Sequence, residues 1–203
     1  MESHLTDQEA ALVRESIRSK YSQVAASGPA ACFGYPTGEA GVKQQHYPPE
    51  LIRDFPAAVL ASYCGVGNPF SLGPIYAGEA VLDIGCGAGF DTLVAARLAG
   101  PGGRAVGLDV TAEMIEKARA NAAPLAWPNV SFQMGEAEAL PFPDHDFDVV
   151  ISNGVFNLTL DKQKALQEAH RVLKPGGRLQ LADMVLVAAL PPEQEGKIDN
   201  WYQ

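Results

Sequence analysis

An acid and three closely spaced glycines form the part of the sequence with the clearest chemical potential. Asp83 precedes Gly85, Gly87 and Gly89, and the run follows the apolar residues 80–82 and leads into a helix-forming stretch. Because glycine has no Cβ, such a loop can turn tightly and let its backbone approach a ligand. A strand, a glycine loop and a helix in this order are typical of nucleotide-binding turns, although a glycine pattern alone also arises from packing.

A second acid indicates which kind of nucleotide the loop would hold. Asp109 ends an apolar run twenty-four positions after Gly85, where an acid can accept hydrogen bonds from ribose hydroxyls or cap the next helix. Dinucleotide loops read G-x-G-x-x-G, whereas this loop reads G-x-G-x-G and has Asp83 two residues before it. A carboxylate there disfavours a pyrophosphate and suits a cation, such as the amino or sulfonium end of S-adenosylmethionine. A nicotinamide enzyme is the alternative.

Residues 78–185 resemble the class I S-adenosylmethionine-dependent methyltransferases. Four further segments carry the resemblance: residues 107–111 (GLDVT), 135–142 (GEAEALPF), 147–153 (FDVVISN) and 171–179 (RVLKPGGRL). In that family the first segment binds the ribose, the second contacts the adenine, and the third faces the methyl donor. The resemblance therefore implies a set of cofactor-binding residues. They are Asp83, Gly85, Cys86, Gly87, Gly89, Asp109, Val110, Glu136, Ala137 and Asn153.

Within that group the sequence is most similar to the arsenite methyltransferases. Residues 63–69 (YCGVGNP) and 151–162 (ISNGVFNLTLDK) match that family's signatures. Trivalent arsenic is soft and prefers thiolate sulfur, so the resemblance implies that Cys32 and Cys64 bind the substrate as thiolates. It also implies that Asn153 borders the reacting methyl group and that a thiol reductant takes part.

Two positions depart from the arsenite methyltransferase pattern. Gly154 stands where the family has a cysteine, and a further family cysteine would fall just past Tyr202. Methylation of an organic small molecule is therefore a second prediction, in which Cys32 and Cys64 are inert structural thiols. A cofactor-binding remnant without arsenic activity is a third.

The spacing of apolar residues predicts an α/β fold. Strands are expected at residues 80–84, 105–109, 130–133, 147–152 and 178–184, with helices at 91–98, 112–122 and 162–173 between them. Such alternation predicts a doubly wound, mainly parallel sheet. The resemblance implies that this is the Rossmann-like methyltransferase sheet, here without the family's last two strands. We expect this core at residues 78–203.

Residues 1–77 are expected to form an N-terminal extension of helix and substrate-side loops. Thr6 and Glu9 form a capping box ahead of an amphipathic helix. Residues 27–49 are rich in glycine, proline and small polar side chains, which predicts a long irregular loop. A short helix is expected from Pro56 to Ala61.

Composition narrows the range of partners. The formal net charge of −9 argues against binding to nucleic acid. No apolar run approaches the roughly 20 residues of a membrane helix, and the sequence starts without a signal peptide, so we expect a cytoplasmic protein that binds no membrane.

Three cysteines without metal-ligand spacing predict neither a disulfide framework nor a structural metal. An open edge at the fifth strand makes a homodimer possible.

Overall fold

The computed structural model describes residues 6–185. Its centre is a sheet of five parallel strands in the order β3-β2-β1-β4-β5. The predicted Rossmann-like sheet is confirmed within these residues. The strands are β1 (Ala80–Ile84), β2 (Arg104–Asp109), β3 (Val130–Met134), β4 (Phe147–Asn153) and β5 (Leu173–Ala182).

Helices cover both faces of this sheet and supply the crossovers between parallel strands. Strand β1 is buried along its whole length, as expected of a central parallel strand that is covered on both faces. The helices are α1 (Asp7–Ser27), α2 (Gly38–Gln44), α3 (Pro49–Ile52), α4 (Ala57–Ala61), α5 (Phe90–Ala99), α6 (Ala112–Ala122) and α7 (Lys162–Val172).

The strand order reverses beside β1, and this position fixes where a ligand can bind. Chain order runs from β1 out to β3 on one side and then returns to β4 on the other. Ile84 at the end of β1 pairs with Leu108 of β2 and with Ser152 of β4. The crossovers leave this point in opposite directions, so a crevice opens at the carboxyl ends of the strands.

The first helix begins as its sequence predicts. The Thr6 hydroxyl accepts a hydrogen bond from the Glu9 amide at 3.3 Å, and the Glu9 carboxylate accepts one from the Thr6 amide at 2.8 Å. Val13, Ile17 and Val24 are buried along one face of α1. That face packs toward α6, where the Lys117 ammonium donates to the Ala25 carbonyl at 2.7 Å.

The prediction of a long irregular loop over residues 27–49 is wrong in part. A 3-10 turn forms at Pro29–Ala31, and α2 and the start of α3 follow. Val42 lies in an apolar cluster with Phe90 and Leu93 of α5. Glycine-rich sequence has weak helix propensity, but burial against a neighbouring element overrides it.

The limits of β5 also differ from the prediction. The strand extends over Leu173–Ala182 and contains the expected Lys174–Gly177 turn as an irregularity, because the pairing with β4 shifts register there. The predicted absence of two further strands concerns residues 186–203, which lie outside the described residues. The boundary at residues 77 and 78 stays a prediction, although α2 and α4 share an apolar core with α5.

Membrane insertion through a helix can be examined only for residues 6–185. None of the helices in this part of the chain is long and apolar enough to cross a bilayer.

The sheet core should be far more sensitive to truncation than the outer face of α1. Leu82 is fully buried in β1, whereas Leu12 is 58% exposed. We expect Leu82→Ala to lower the free energy of unfolding by about 2–5 kcal/mol, since the cavity adds to the lost burial. Leu12→Ala should change it by less than about 0.5 kcal/mol. Urea unfolding of both variants checks this, and equal losses would contradict the core assignment.

Candidate functional site

A large cleft lies at the switch point of the sheet, over the carboxyl ends of β1, β2 and β4. Its empty space, including the part open to solvent, is about 1180 Å³. Its lining includes the glycine loop, the strand ends, residues 62–65, residues 135–138, residues 158–160 and the inner face of α1. Nearly all the residues expected to bind the cofactor lie here.

The glycine loop has the backbone geometry that its sequence predicts. Gly85, Gly87 and Gly89 have φ values of +72°, +51° and +87°, a region that other residues rarely adopt. A Cβ at Gly85 would lie 2.2 Å from Cγ2 of Val155, so this glycine is required by packing. A Cβ at Gly87 would meet nothing within 4 Å, and Gly87 lines the cleft. The space beside Gly87 is therefore open to a ligand.

Asp109 is fixed by the loop that it faces. One carboxylate oxygen accepts a hydrogen bond from the Gly87 amide at 2.9 Å, and the other accepts one from the Thr111 amide at 2.9 Å. Burial raises the pKa of Asp109, and these hydrogen bonds oppose that shift. Each carboxylate oxygen has a second acceptor position. Asp109 can therefore also accept hydrogen bonds from a ligand.

Asp83 lies at the floor of the cleft and is 2% exposed. Its carboxylate accepts a hydrogen bond from the Thr92 hydroxyl at 2.6 Å. Burial raises its pKa, and the negative charge of Asp91 raises it further. A buried carboxylate beside a second one is costly, and a cation bound between them would relieve that cost.

Asp91 is the principal site residue that sequence reasoning missed. It lies in the first turn of α5, lines the cleft, and accepts hydrogen bonds from the Tyr47 hydroxyl at 2.6 Å and the Asn153 amide at 2.9 Å. Burial raises its pKa to about 6, against the effect of these two hydrogen bonds. The signal was an acid in the otherwise apolar start of a buried helix, because buried acids are rare outside functional sites.

Asn153 holds residues 64–67, which we call the Cys64 loop, against the end of β4. Its side-chain oxygen accepts from the amides of Val66 at 2.8 Å and Gly67 at 3.0 Å, and its side-chain nitrogen donates to the Gly67 carbonyl at 2.8 Å. A Cβ at Gly65 would lie 2.3 Å from that nitrogen. Asn153 lines the cleft as expected, but its polar atoms hold the loop.

Three tyrosines complete the support of the same loop. The Tyr35 hydroxyl donates to the Cys64 carbonyl at 3.0 Å. The Tyr63 hydroxyl donates to the Gly67 carbonyl at 2.7 Å, and the Tyr47 hydroxyl oxygen lies 3.2 Å from the same carbonyl. The backbone around Cys64 is thus held from the N-terminal segment as well as from β4.

Of the two cysteines expected to bind substrate, the structure places Cys64 on the cleft wall and Cys32 outside it. Burial raises the pKa of the Cys64 thiol to about 12, and Asp109, Asp91 and Cys32 add to this effect. Cys32 packs beside the cluster of Val24, Ala88 and Met114.

Two further positions, Cys86 and Gly154, also line the cleft. Cys86 lines the cleft, but it also belongs to an apolar cluster with Phe132, and its sulfur would lie 2.8 Å from a Cβ at Gly107. At Gly154, φ is +76°, and an added Cβ would lie 3.3 Å from Val66. A side chain at position 154 would therefore be strained and would press on the loop that holds Cys64.

The expected adenine side of the cleft is covered by α1. Glu136 and Ala137 line the cleft, as does Val110 at the end of β2. Glu136 forms an ion pair with Arg18 of α1 at 3.2 Å, and both side chains are about half exposed. Helix α1 therefore closes one wall, a role that its amphipathic pattern did not indicate.

The residues present fit S-adenosylmethionine better than a pyrophosphate cofactor. The open space at Gly87 provides a cradle, and the Asp109 carboxylate lies beside it. Asp83 and Asp91 place two buried acids at the floor, where they favour a cationic group and disfavour a phosphate. Together the fold and the cleft define a Rossmann-like domain for a cationic nucleoside cofactor.

Comparison with known proteins identifies the family. The methyltransferase domain family matches residues 75–202, and the chain belongs to that family, with S-adenosyl-L-methionine as its cofactor. The fold is shared with an arsenic(III) S-adenosylmethionine methyltransferase from Chlamydomonas reinhardtii, at 35% identity and a TM-score of 0.64 over 78% of this chain and 53% of the other. A methyltransferase from Aquifex aeolicus matches at 25% identity and a TM-score of 0.54, over 78% of this chain and 80% of the other.

Two curated relatives have different acceptors. An arsenite methyltransferase from Halobacterium salinarum is 36% identical over 98% of this chain and 54% of its own length. A ubiquinone/menaquinone biosynthesis C-methyltransferase from Hahella chejuensis is 46% identical over 52% of this chain and 43% of its own length. The chain spans about half the length of these relatives. The resemblance to arsenite methyltransferases is confirmed, but the acceptor is not settled by it.

Alanine at two glycines should separate folding from ligand binding. Gly85→Ala should lower the free energy of unfolding by roughly 2–4 kcal/mol, because its methyl overlaps Val155 at a positive φ. Gly87→Ala should cost only about 1–2 kcal/mol of backbone strain but weaken binding of S-adenosylhomocysteine by about tenfold. Urea unfolding and titration calorimetry measure the two effects. Unchanged affinity in Gly87→Ala would place the cofactor elsewhere.

Asp91 should make the fold less stable as the pH rises from 4 to 7.5. A folded pKa of about 6, above the ordinary value of 3.8, stabilises the fold at low pH, and this stabilisation is lost as the pH rises through 6. Relative to wild type, Asp91→Asn should therefore gain roughly 1–3 kcal/mol between pH 4 and pH 7.5. Asp54→Asn, at an exposed acid, is the control. Urea unfolding at several pH values tests this, and a difference that does not change with pH contradicts the assignment.

Proposed function

We propose that this protein transfers the methyl group of S-adenosylmethionine to trivalent arsenic held by the Cys64 sulfur. The placement of Cys64 carries the proposal, because this thiol lies on the wall of the cleft whose acids favour a cationic donor. The arsenite methyltransferase from Halobacterium salinarum, which matches 98% of this chain, supports the same acceptor.

Capture of arsenic does not require Cys64 to be ionised beforehand. Burial raises the pKa of this thiol to about 12, so it carries its proton at neutral pH. Arsenous acid brings its own hydroxide, which accepts that proton and leaves as water while the As–S bond forms. Once arsenic is bound, sulfur is held as the thiolate ligand that a soft metalloid prefers.

Methyl transfer then needs mainly orientation and exclusion of water. Bound S-adenosylmethionine supplies an activated methyl group on a sulfonium. The arsenic lone pair forms the new As–C bond as the S–CH₃ bond breaks, and arsenic is oxidised by two electrons. A thiol reductant is required to return it to the trivalent state. Correct placement of the two reactants can supply about 7–11 kcal/mol of the barrier.

The chain's own residues provide this placement. Asn153 and Tyr63 hold the loop around Cys64. Asp83, Asp109 and the glycine loop would hold the donor. Cys32 is proposed as the second sulfur ligand, supplied from the segment beside the cleft. A further ligand would be an external thiol, since position 154 carries glycine.

A second candidate is methylation of an organic small molecule. The ubiquinone/menaquinone C-methyltransferase from Hahella chejuensis favours it, with 46% identity over about half of this chain. Only one of the two proposed arsenic ligands lines the cleft, which also favours this candidate. Its acceptor would use the apolar wall near Val155 and Leu158 instead of a thiol. A cytoplasmic location and a homodimer stay predictions.

Cys64→Ser tests the choice between these acceptors. We expect arsenite-dependent formation of S-adenosylhomocysteine to fall on the order of 100-fold, because a direct ligand of the acceptor is lost. Binding of S-adenosylhomocysteine should change by less than about twofold, since the serine keeps the loop intact. Product formation is measured by mass spectrometry with arsenite and a dithiol reductant, and binding by calorimetry.

Cys32→Ser tests the proposed second ligand in the same assay. It makes the same atomic change outside the cleft and should cause a smaller loss if Cys32 is the second ligand. Full activity in Cys64→Ser would exclude thiolate capture and favour the organic acceptor. Wild-type protein that binds S-adenosylhomocysteine tightly, yet forms none with arsenite, would also contradict the proposal.

A further inference from the structure

Asp91 contacts both the cofactor cleft and the residues that support the Cys64 loop. It lines the cofactor cleft, and its two carboxylate oxygens accept hydrogen bonds from residues that support the Cys64 loop. The Tyr47 hydroxyl donates to one oxygen at 2.6 Å, and the Asn153 amide donates to the other at 2.9 Å. Both donors also contact the Gly67 carbonyl, at 3.2 Å and 2.8 Å.

Asn153 connects Asp91 to the Cys64 loop, because its side chain forms hydrogen bonds with both. The Asn153 amide nitrogen donates to Asp91, while its oxygen accepts the amides of Val66 and Gly67. The Cys64 carbonyl is held separately by the Tyr35 hydroxyl. The orientation of one amide side chain therefore links the Asp91 carboxylate to the backbone two residues after Cys64.

The charge on Asp91 is not balanced by the hydrogen bonds that it receives. Tyr47 and Asn153 are neutral, and Thr92, which donates to Asp83 nearby, is neutral too. Asp83 adds a second buried carboxylate that interacts unfavourably with Asp91. Two adjacent buried carboxylates favour a bound cation or a shared proton. A ligand with a cationic group would therefore stabilise Asp91 in its charged form.

We propose that Asp91 is a positioning residue that makes the placement of the Cys64 loop depend on a cationic group in the cofactor cleft. Asp91 is already charged at neutral pH, since burial raises its pKa only to about 6. A cation in the cleft offsets the repulsion between Asp91 and Asp83, so the carboxylate can hold its two donors in place. Asn153 then holds the backbone of Gly65–Gly67 more firmly. The donor thereby orders the loop that presents the acceptor sulfur.

Coupling of this kind is reciprocal. If a cation in the cleft orders the Cys64 loop, then ordering the loop strengthens binding of the cation by the same factor. The two reactants would therefore bind cooperatively. The inference rests on the proposed role of Cys64 in binding the acceptor, but the coupling can be measured without arsenic.

Alkylation of Cys64 reports the state of this loop. The rate of reaction with iodoacetamide is followed by mass spectrometry of the Cys64 peptide, without ligand, with saturating S-adenosylhomocysteine, and with its deamino analogue. The analogue has the same length but lacks the ammonium group, so it separates charge from steric cover. In wild type we expect S-adenosylhomocysteine to slow alkylation at least about fivefold more than the analogue does, which is the lower range of coupling between sites.

Asp91→Asn should abolish the difference between the two ligands at saturation, because the amide keeps the shape but not the charge. Asp54→Asn removes an exposed acid that pairs with Arg97, and it should behave as wild type. Equal protection by both ligands in wild type would overturn the proposal, as would full ammonium-dependent protection in Asp91→Asn. The first of these outcomes overturns the proposal even if Asp91→Asn fails to fold. Loss of arsenite turnover with the coupling intact would instead contradict the proposed function alone.

Discussion

The site depends on the burial of three carboxylates at one end of the sheet. Asp83, Asp91 and Asp109 are each less than 10% exposed, and burial of several negative charges close together is unfavourable unless donors or a cation compensate it. The glycine loop and Thr111 supply amide donors to Asp109, and Thr92 supplies a hydroxyl to Asp83. The negative charge that these donors do not compensate makes the cleft favour a cationic ligand.

The buried carboxylates lower the stability of the protein when no ligand is bound. An acid such as Asp91, whose pKa is raised by burial, lowers stability at neutral pH. The fold tolerates that cost because β1 is buried throughout and its neighbours on both sides are in parallel register. Stability comes from the apolar core, and the polar end of the same strands is free to serve binding.

The N-terminal segment is part of the site and not only a cover for it. Tyr47 and Tyr63 pack against Phe90 of α5. The Tyr63 hydroxyl donates to the Gly67 carbonyl, and the Tyr47 hydroxyl donates to Asp91. Their rings contribute to the core, while their polar ends lie at the loop around Cys64.

The sequence by itself determined the parallel sheet, the glycine loop and the acid after the second strand, because these depend on local patterns. Apolar runs, positive-φ glycines and strand-end acids leave their mark within a few residues. The helical course of residues 38–44 could not be predicted, since burial of Val42 against α5 outweighs a weak local preference.

Only the tertiary structure decided which polar groups meet. Asn153 and Gly67 are 86 positions apart, and Tyr47 and Asp91 are 44 apart, yet each pair forms a hydrogen bond. The same packing put Cys64 on the cleft wall and left Cys32 outside it. Local sequence does not encode such contacts, because they arise where separate elements converge at the carboxyl ends of the strands.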